Sequence, residues 1–195
     1  MNLIGLIGNA GAGKNTFAEE FHYYKFYEYS FAAPLKAACA QLFGISEYYF
    51  NNQEEKNQKH PYWNVSPREI LQFVGTELVR NHLGELLGSE SSAFWIERLK
   101  LQLIHDFDSP QDVRAVITDC RFKDEVDYIL SNGGKIIHLT RPSCDGNVGI
   151  QSHSSEYLAR NFRTLYSPTD SILFVDNDGT LDQLKIKAHQ IAHTL

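Results

Sequence analysis

Apolar residues recur along the chain in two alternating rhythms. Short runs that are apolar almost throughout, NLIGLIG (2–8), VRAVIT (113–118), KIIHLT (135–140) and SILFVD (171–176), are predicted as buried strands, and FYEYSF (26–31) as a further one. Between them, apolar positions fall three and four apart. That spacing predicts helices over 13–24, 33–43, 66–82 and 92–105. It also predicts a helix marked by Phe122, Val126, Ile129 and Leu130 that stops at Gly133-Gly134, and a last one with Leu181, Leu184, Ala188, Ile191 and Leu195 on one stripe. The clearest helix start is Ser66-Pro67-Arg68-Glu69: a good N-cap, a proline at the first helical position and a glutamate three residues after the cap. Ile70, Leu71, Val74 and Leu78 then form one apolar face, and Ile96, Leu99 and Leu103 share one side of the next helix. Five strands with helical crossovers predict one three-layer α/β/α domain over 1–195 with a five-stranded parallel sheet. Residues 44–65 (polar, aromatic) and 142–168 (polar, with Gly146, Gly149 and Pro168) interrupt the rhythm, the second as a mobile segment with one short helix.

Composition narrows the function classes. At 195 residues, 43% hydrophobic and 22% charged, the chain suits one packed domain and not a disordered one. Its net charge of −6 disfavours non-specific nucleic-acid binding, which needs cations to displace counterions. A small polyanion held by a few converging cations stays compatible. Cys39, Cys120 and Cys144 contain no CxxC pair, which implies a reduced intracellular chain without a disulfide framework or cysteine zinc site. The N-terminal apolar run ends at Ile7, too short for a signal peptide or membrane span. These features imply a cytoplasmic protein with no membrane partner. Aromatic residues reach 12%, with Tyr and Phe far ahead of Trp.

The strongest chemical signal is Gly8-Asn9-Ala10-Gly11-Ala12-Gly13-Lys14-Asn15-Thr16. Gly8, four residues, then Gly13-Lys14 is the Walker A spacing, and it lies between a predicted strand and helix as that motif requires. Glycines let the backbone curl until its N–H groups point at phosphate oxygens, the helix start adds a favourable dipole, and Lys14 supplies charge for the β- and γ-phosphates. The residue after Lys14 is Asn15, and the hydroxyl that can meet Mg²⁺ comes at Thr16. Adenylate kinase and its relatives have a similar GKxT arrangement. A dinucleotide GxGxxG reading fails, because Thr16 stands where the third glycine belongs.

Other constellations are weaker. ILFVDNDGTL (172–181) matches the nucleophile motif of haloacid-dehalogenase-type phosphatases, but only 19 residues follow Asp176, and an Asx-rich turn with Asp178 or Thr180 near the helix cap is the better expectation. Asp119-Cys120-Arg121 ends the 113–118 strand, where a carboxylate can hold Mg²⁺ through water and an arginine can bridge a transferring phosphoryl group. Arg68, Gln72, Thr76 and Arg80 recur every four residues on a polar helix face, which is either a solvated surface or a clamp for a monophosphate and a base edge. Lys36 can meet phosphate, and Arg141, at the end of another strand, can stack on adenine or touch phosphate. Tyr62, Trp63, Phe94 and Trp95 are candidates to line a base pocket, with core packing as the alternative. Arg160 and Arg163 are lid arginines or simply exposed. His153-Ser154-Ser155-Glu156 does not make a catalytic triad by adjacency.

Taken together these blocks resemble phage-type deoxynucleoside monophosphate kinases over nearly the whole chain. The likeness rests on GNAGAGKNT (8–16), FAAPLKAACAQLFG (31–44), SPREILQFVGTELVR (66–80) and FW (94–95). VITDCRFKDEVDYI (116–129), TRP (140–142), HSSE (153–156) and VDNDGT (175–180) follow in order. The resemblance implies a P-loop kinase fold, with a helical acceptor-binding insertion at about 44–110 and a lid-like segment at about 142–168. It implies transfer of the γ-phosphoryl group of ATP to a dNMP with Mg²⁺, in the host cytoplasm if viral. Lys14, Asp119 and Arg121 would be catalytic. Gly11, Ala12, Gly13, Lys14, Asn15, Thr16 and Arg141 would bind the nucleotide, and Thr16 and Asp119 the metal. Lys36, Arg68, Gln72, Thr76 and Arg80 would bind the acceptor. A homodimer is a fair expectation. The competing readings are a P-loop kinase for another small acceptor, such as dephospho-coenzyme A, and a nucleotide-binding regulatory protein without phosphotransfer.

Overall fold

The computed structural model describes residues 1–87, 93–142 and 154–195. Cys144, His153 and the 143–153 part of the predicted mobile segment lie outside the described residues. The chain divides into two compact units, Met1–Ser30 with Gln102–Leu195, and Phe31–Leu101.

The first unit holds a five-stranded sheet. Strands β1 (Asn2–Ile7), β2 (Tyr27–Tyr29), β3 (Arg114–Ile117), β4 (Lys135–Thr140) and β5 (Ile172–Asp176) are all parallel, in the order β2-β3-β1-β4-β5. In the register, Gly5 of the central β1 stands opposite Ile117 on one side and Ile136 on the other. Side chains alternate between the two faces. Ile4, Leu6, Ile137 and Leu139 pack with Phe17 of α1 (Lys14–Glu19) and with Leu184 and Ala188 of α9 (Leu181–His193). On the other face a Cβ at Gly5 would sit 2.7 Å from Ile129 of α7 (Lys123–Ser131), and His138 reaches Ala159 of α8 (Ser154–Leu165). Both faces are covered, which is why the strands read as continuous apolar runs. The predicted three-layer α/β/α architecture and all five predicted strands are present.

Two expectations in this unit need adjusting. The helix predicted over 13–24 is α-helical to Glu19 and then tightens into a 3-10 turn over Glu20–Tyr24. Buried Glu20 ties that turn to α9 through Lys185 at 3.1 Å and His189 at 2.8 Å. The strand predicted over 26–31 is shortened to the edge strand β2, with Phe26 turned into the core against Phe21 at a ring distance of 5.5 Å. Part of the aromatic excess is therefore packing around α1 and β2.

The second unit is helical: α2 (Ala33–Phe43), α3 (Glu47–Asn51), α4 (Pro67–Gln72), a continuation through Phe73–Leu83, α5 (Gly84–Leu87) and most of α6 (Phe94–Asp106). The predicted capping box is formed. The Ser66 hydroxyl accepts from Glu69 N at 3.2 Å, and Ser66 N donates to the Glu69 carboxylate at 2.7 Å. Beyond Gln72, however, the helix opens into π winding, with i to i+5 bonds in place of i to i+4. Residues five apart then share a side. Ile70, Gly75 and Arg80 are buried, while Phe73 (62% exposed) and Leu78 (48%) face solvent.

This corrects the predicted faces. Leu78 leaves the apolar stripe, and Thr76 and Arg80 are buried and not part of a solvated polar face. The cause is a close crossing. Gly75 meets Leu35 of α2, where a Cβ would come within 2.5 Å of a Leu35 methyl, and the Gly75 carbonyl takes a 3.0 Å bond from the indole N–H of buried Trp95. Trp95 is thus a core residue.

Candidate active site

In a parallel sheet every strand delivers its carboxyl end to the same edge. The loop after β1, Asp119-Cys120-Arg121 after β3, Arg141 after β4 and Asn177 after β5 therefore belong to one edge of the first unit.

The loop after β1 takes its shape from glycine. Gly11 (φ +82°) and Gly13 (φ +97°) occupy left-handed conformations, and a Cβ on Gly8 (φ +154°) would run into the Leu139 carbonyl. The first helical bond of α1 runs from Phe17 N to Gly13 O at 2.9 Å. The N–H groups of Lys14, Asn15 and Thr16 precede that bond, so the helix itself leaves them unused. Gly11 and Asn15 are exposed, Thr16 is half-buried in the first turn, and Ala12 is fully buried beneath the loop.

Lys14 Nζ folds back to donate to Gly8 O at 2.7 Å and Asn9 O at 3.0 Å. Burial pushes its pKa down to about 8, and the Arg121 cation adds to that shift, while the Glu156 and Asp119 carboxylates oppose it. An ammonium so placed gains from a polyanion, which would replace the solvation it has lost.

Asp119 is half-buried, and its Oδ2 accepts from the Ser30 hydroxyl at 2.8 Å. Arg121 NH1 donates to Glu156 Oε1 at 2.8 Å. Burial pushes the Cys120 thiol well up and leaves it unreactive. Arg141 is exposed at the end of β4. Thr16 and Asp119 offer one hydroxyl and one carboxylate. These are hard oxygen donors of the kind Mg²⁺ takes alongside substrate phosphates, and no group of three His, Cys, Asp or Glu suited to a metal occurs among the described residues.

The phosphatase-like DNDG segment has a structural use. Asn177, buried, donates from Nδ2 to Ala12 O at 3.0 Å, and its own N–H bonds Thr140 O at 2.7 Å. It fits against Gly13, where a Cβ would lie 2.8 Å from Nδ2. Asp176 accepts from Thr140 Oγ1 and from Arg163, each at 2.6 Å, and Thr180 caps α9. The Asx-turn expectation holds, and the turn also fastens the phosphate loop. Asn177, Ser30 and Glu156 were absent from the predicted site. Only the DNDG and HSSE blocks signalled the regions around Asn177 and Glu156.

In the second unit, Lys36 Nζ donates to Asn51 Oδ1 at 2.9 Å, and Arg68 Nε to Asn57 Oδ1 at 2.7 Å. Two cations of the predicted acceptor set are thus oriented by asparagines of the 44–65 segment. Gln72 is half-buried, and its buried Oε1 has no hydrogen-bond partner among the described residues. Tyr62 is 80% exposed, and Trp63 bonds Phe43 O through its indole N–H at 3.0 Å. No helix among the described residues is long and apolar enough to cross a membrane.

Comparison with known proteins adds a third line. The family model for deoxynucleotide monophosphate kinase matches residues 40–188. A protein of Acanthamoeba polyphaga mimivirus, provisionally described as a deoxynucleotide monophosphate kinase, is 36% identical over 174 residues, covering 84% of this chain and 85% of that one. Dephospho-CoA kinase from Campylobacter jejuni aligns over 98% of this chain and 96% of that structure at 12% identity, with a TM-score of 0.48. The family match begins at residue 40, after the Gly8–Thr16 loop.

Proposed function

Because the chain belongs to the deoxynucleotide monophosphate kinase family and is therefore a phosphotransferase acting on deoxynucleoside monophosphates, we propose that ATP is its phosphoryl donor and that the loop at Gly8–Thr16 holds the donor's phosphates. The observation that carries this reading is Lys14. It is a part-buried cation at the carboxyl edge of the sheet, bonded to two loop carbonyls, inside a loop of Walker A spacing.

The loop N–H groups and Lys14 bind and align the β- and γ-phosphates. Arg121 bridges the transferring phosphoryl oxygens, and Arg141 contacts the nucleotide. Thr16 and Asp119 would hold Mg²⁺, which supplies charge neutralisation on the phosphates when bound. Lys36 and Arg68 receive the acceptor monophosphate, and Gln72 reads its base edge. The transition state is loose, so these residues act by alignment and charge and not by forming a covalent intermediate.

ADP release measured with each of the four dNMPs, the four rNMPs and dephospho-coenzyme A tests this. ADP should form from ATP when a dNMP is present and not when dephospho-coenzyme A is the acceptor. ADP formation without acceptor, or with dephospho-coenzyme A alone, would refute it.

A further inference from the structure

Glu156 takes no part in the chemistry above, yet it is a carboxylate only 6% exposed, in the first turn of α8. Its Oε1 accepts from Arg121 NH1 at 2.8 Å. The pair is asymmetric, because the Glu156 side chain keeps 8% of its surface and the Arg121 side chain 42%. The anion is inside and the cation half outside. A second buried carboxylate holds the same residue by its backbone: Glu125, 2% exposed, accepts from Arg121 N at 2.8 Å and from Phe122 N at 3.2 Å. Arg121 is therefore fixed at both ends from within the protein. One NH1 hydrogen is given to Glu156, and Nε, NH2 and the second NH1 hydrogen are the donors that remain, among the described residues, for a planar anion.

A buried carboxylate is costly to desolvate, and a surface arginine gains little from an exposed partner. Arginine also has large rotamer freedom, which any ligand that orders it must overcome. We infer that Glu156 is a positioning residue, whose carboxylate holds the Arg121 guanidinium ready for the transferring phosphoryl group so that the arginine need not be ordered during transfer. The inference rests on the role given to Arg121 above. Glu156 lies in the same electrostatic neighbourhood as Lys14, whose charge both members of the pair influence. A tie that served only to fasten α8 to the end of β3 would alter stability and leave the chemistry untouched.

The test is a double-mutant cycle on kcat, with KM for ATP and dNMP and Tm measured beside it. Glu156→Ala should lower kcat by ~10–100-fold, the cost of a misplaced group, with both KM values within about twofold. Glu156→Gln has the same size and keeps an acceptor oxygen, so it should recover most of the rate; it carries the comparison if the alanine variant fails to fold. In the Arg121→Ala background neither Glu156 change should lower kcat further. The inference is overturned if Glu156→Ala lowers Tm and leaves kcat intact, or if its kcat loss persists undiminished without Arg121. If Arg121→Ala itself keeps the wild-type kcat, the role of Arg121 is wrong and the inference falls with it. If Arg121→Ala loses activity while both Glu156 variants keep theirs, the inference alone fails.

Discussion

The Gly8–Thr16 loop and the helix that begins at Ser66 are both glycine-containing segments that carry proposed site residues, but they are built in different ways. In the loop, each conformation has a close neighbour: the Leu139 carbonyl behind Gly8, the Asn177 amide against Gly13, and the Gly8 and Asn9 carbonyls under Lys14. In the helix, Gly75 faces only the flexible end of Leu35, and the winding opens from α to π around a bond from Trp95. The first segment is pinned by close contacts with backbone and buried side chains. The second replaces α winding with π winding at a close crossing of two helices.

That contrast can be broken at several points. The largest effect is expected at Lys14. Lys14→Ala should cost roughly 10²–10³-fold in kcat/KM for ATP, or ~3–4 kcal/mol, with an unchanged circular dichroism spectrum. In the wild type, kcat/KM for ATP should fall as pH rises through about 8, because the active ammonium form is lost above its lowered pKa. The alanine variant should lack that limb.

Gly8→Ala comes next. It should destabilise the first unit by about 3 kcal/mol in denaturant unfolding, since backbone must move to admit the methyl group. Trp95→Phe removes the donor to the buried Gly75 carbonyl and should cost about 2 kcal/mol. The smallest change is expected at Gly75→Ala, within about 1 kcal/mol, because the gain in helix propensity offsets the displacement of Leu35. If Gly75→Ala proved as damaging as Gly8→Ala, the two segments would not differ as described.

Legibility in the sequence followed the same divide. The strands, the loop and the caps at Ser66 and Thr180 are local patterns, in which a few neighbouring residues determine backbone shape. The π winding has no local signal, because it goes with contacts that Gly75 makes with Leu35 and Trp95, 40 and 20 residues away. Arg80 therefore read as a surface residue and is buried. Glu156 and Asn177 escaped for a related reason. Their partners lie 35 and 165 residues away, at Arg121 and Ala12, and no local periodicity reports a pairing of that range. The DNDG segment resembled a phosphatase motif because a strand ending in an Asx turn looks the same whichever chemistry it serves.

Under the proposed function, the donor's phosphates bind the Gly8–Thr16 loop and the acceptor binds Lys36, Arg68 and Gln72. Steady-state kinetics of Arg68→Ala, with ATP and dNMP varied independently, tests it most directly. KM for the dNMP should rise roughly tenfold, the loss of a charge-assisted contact, while KM for ATP stays unchanged. An unchanged KM for every dNMP, or an equal rise for ATP, would contradict it.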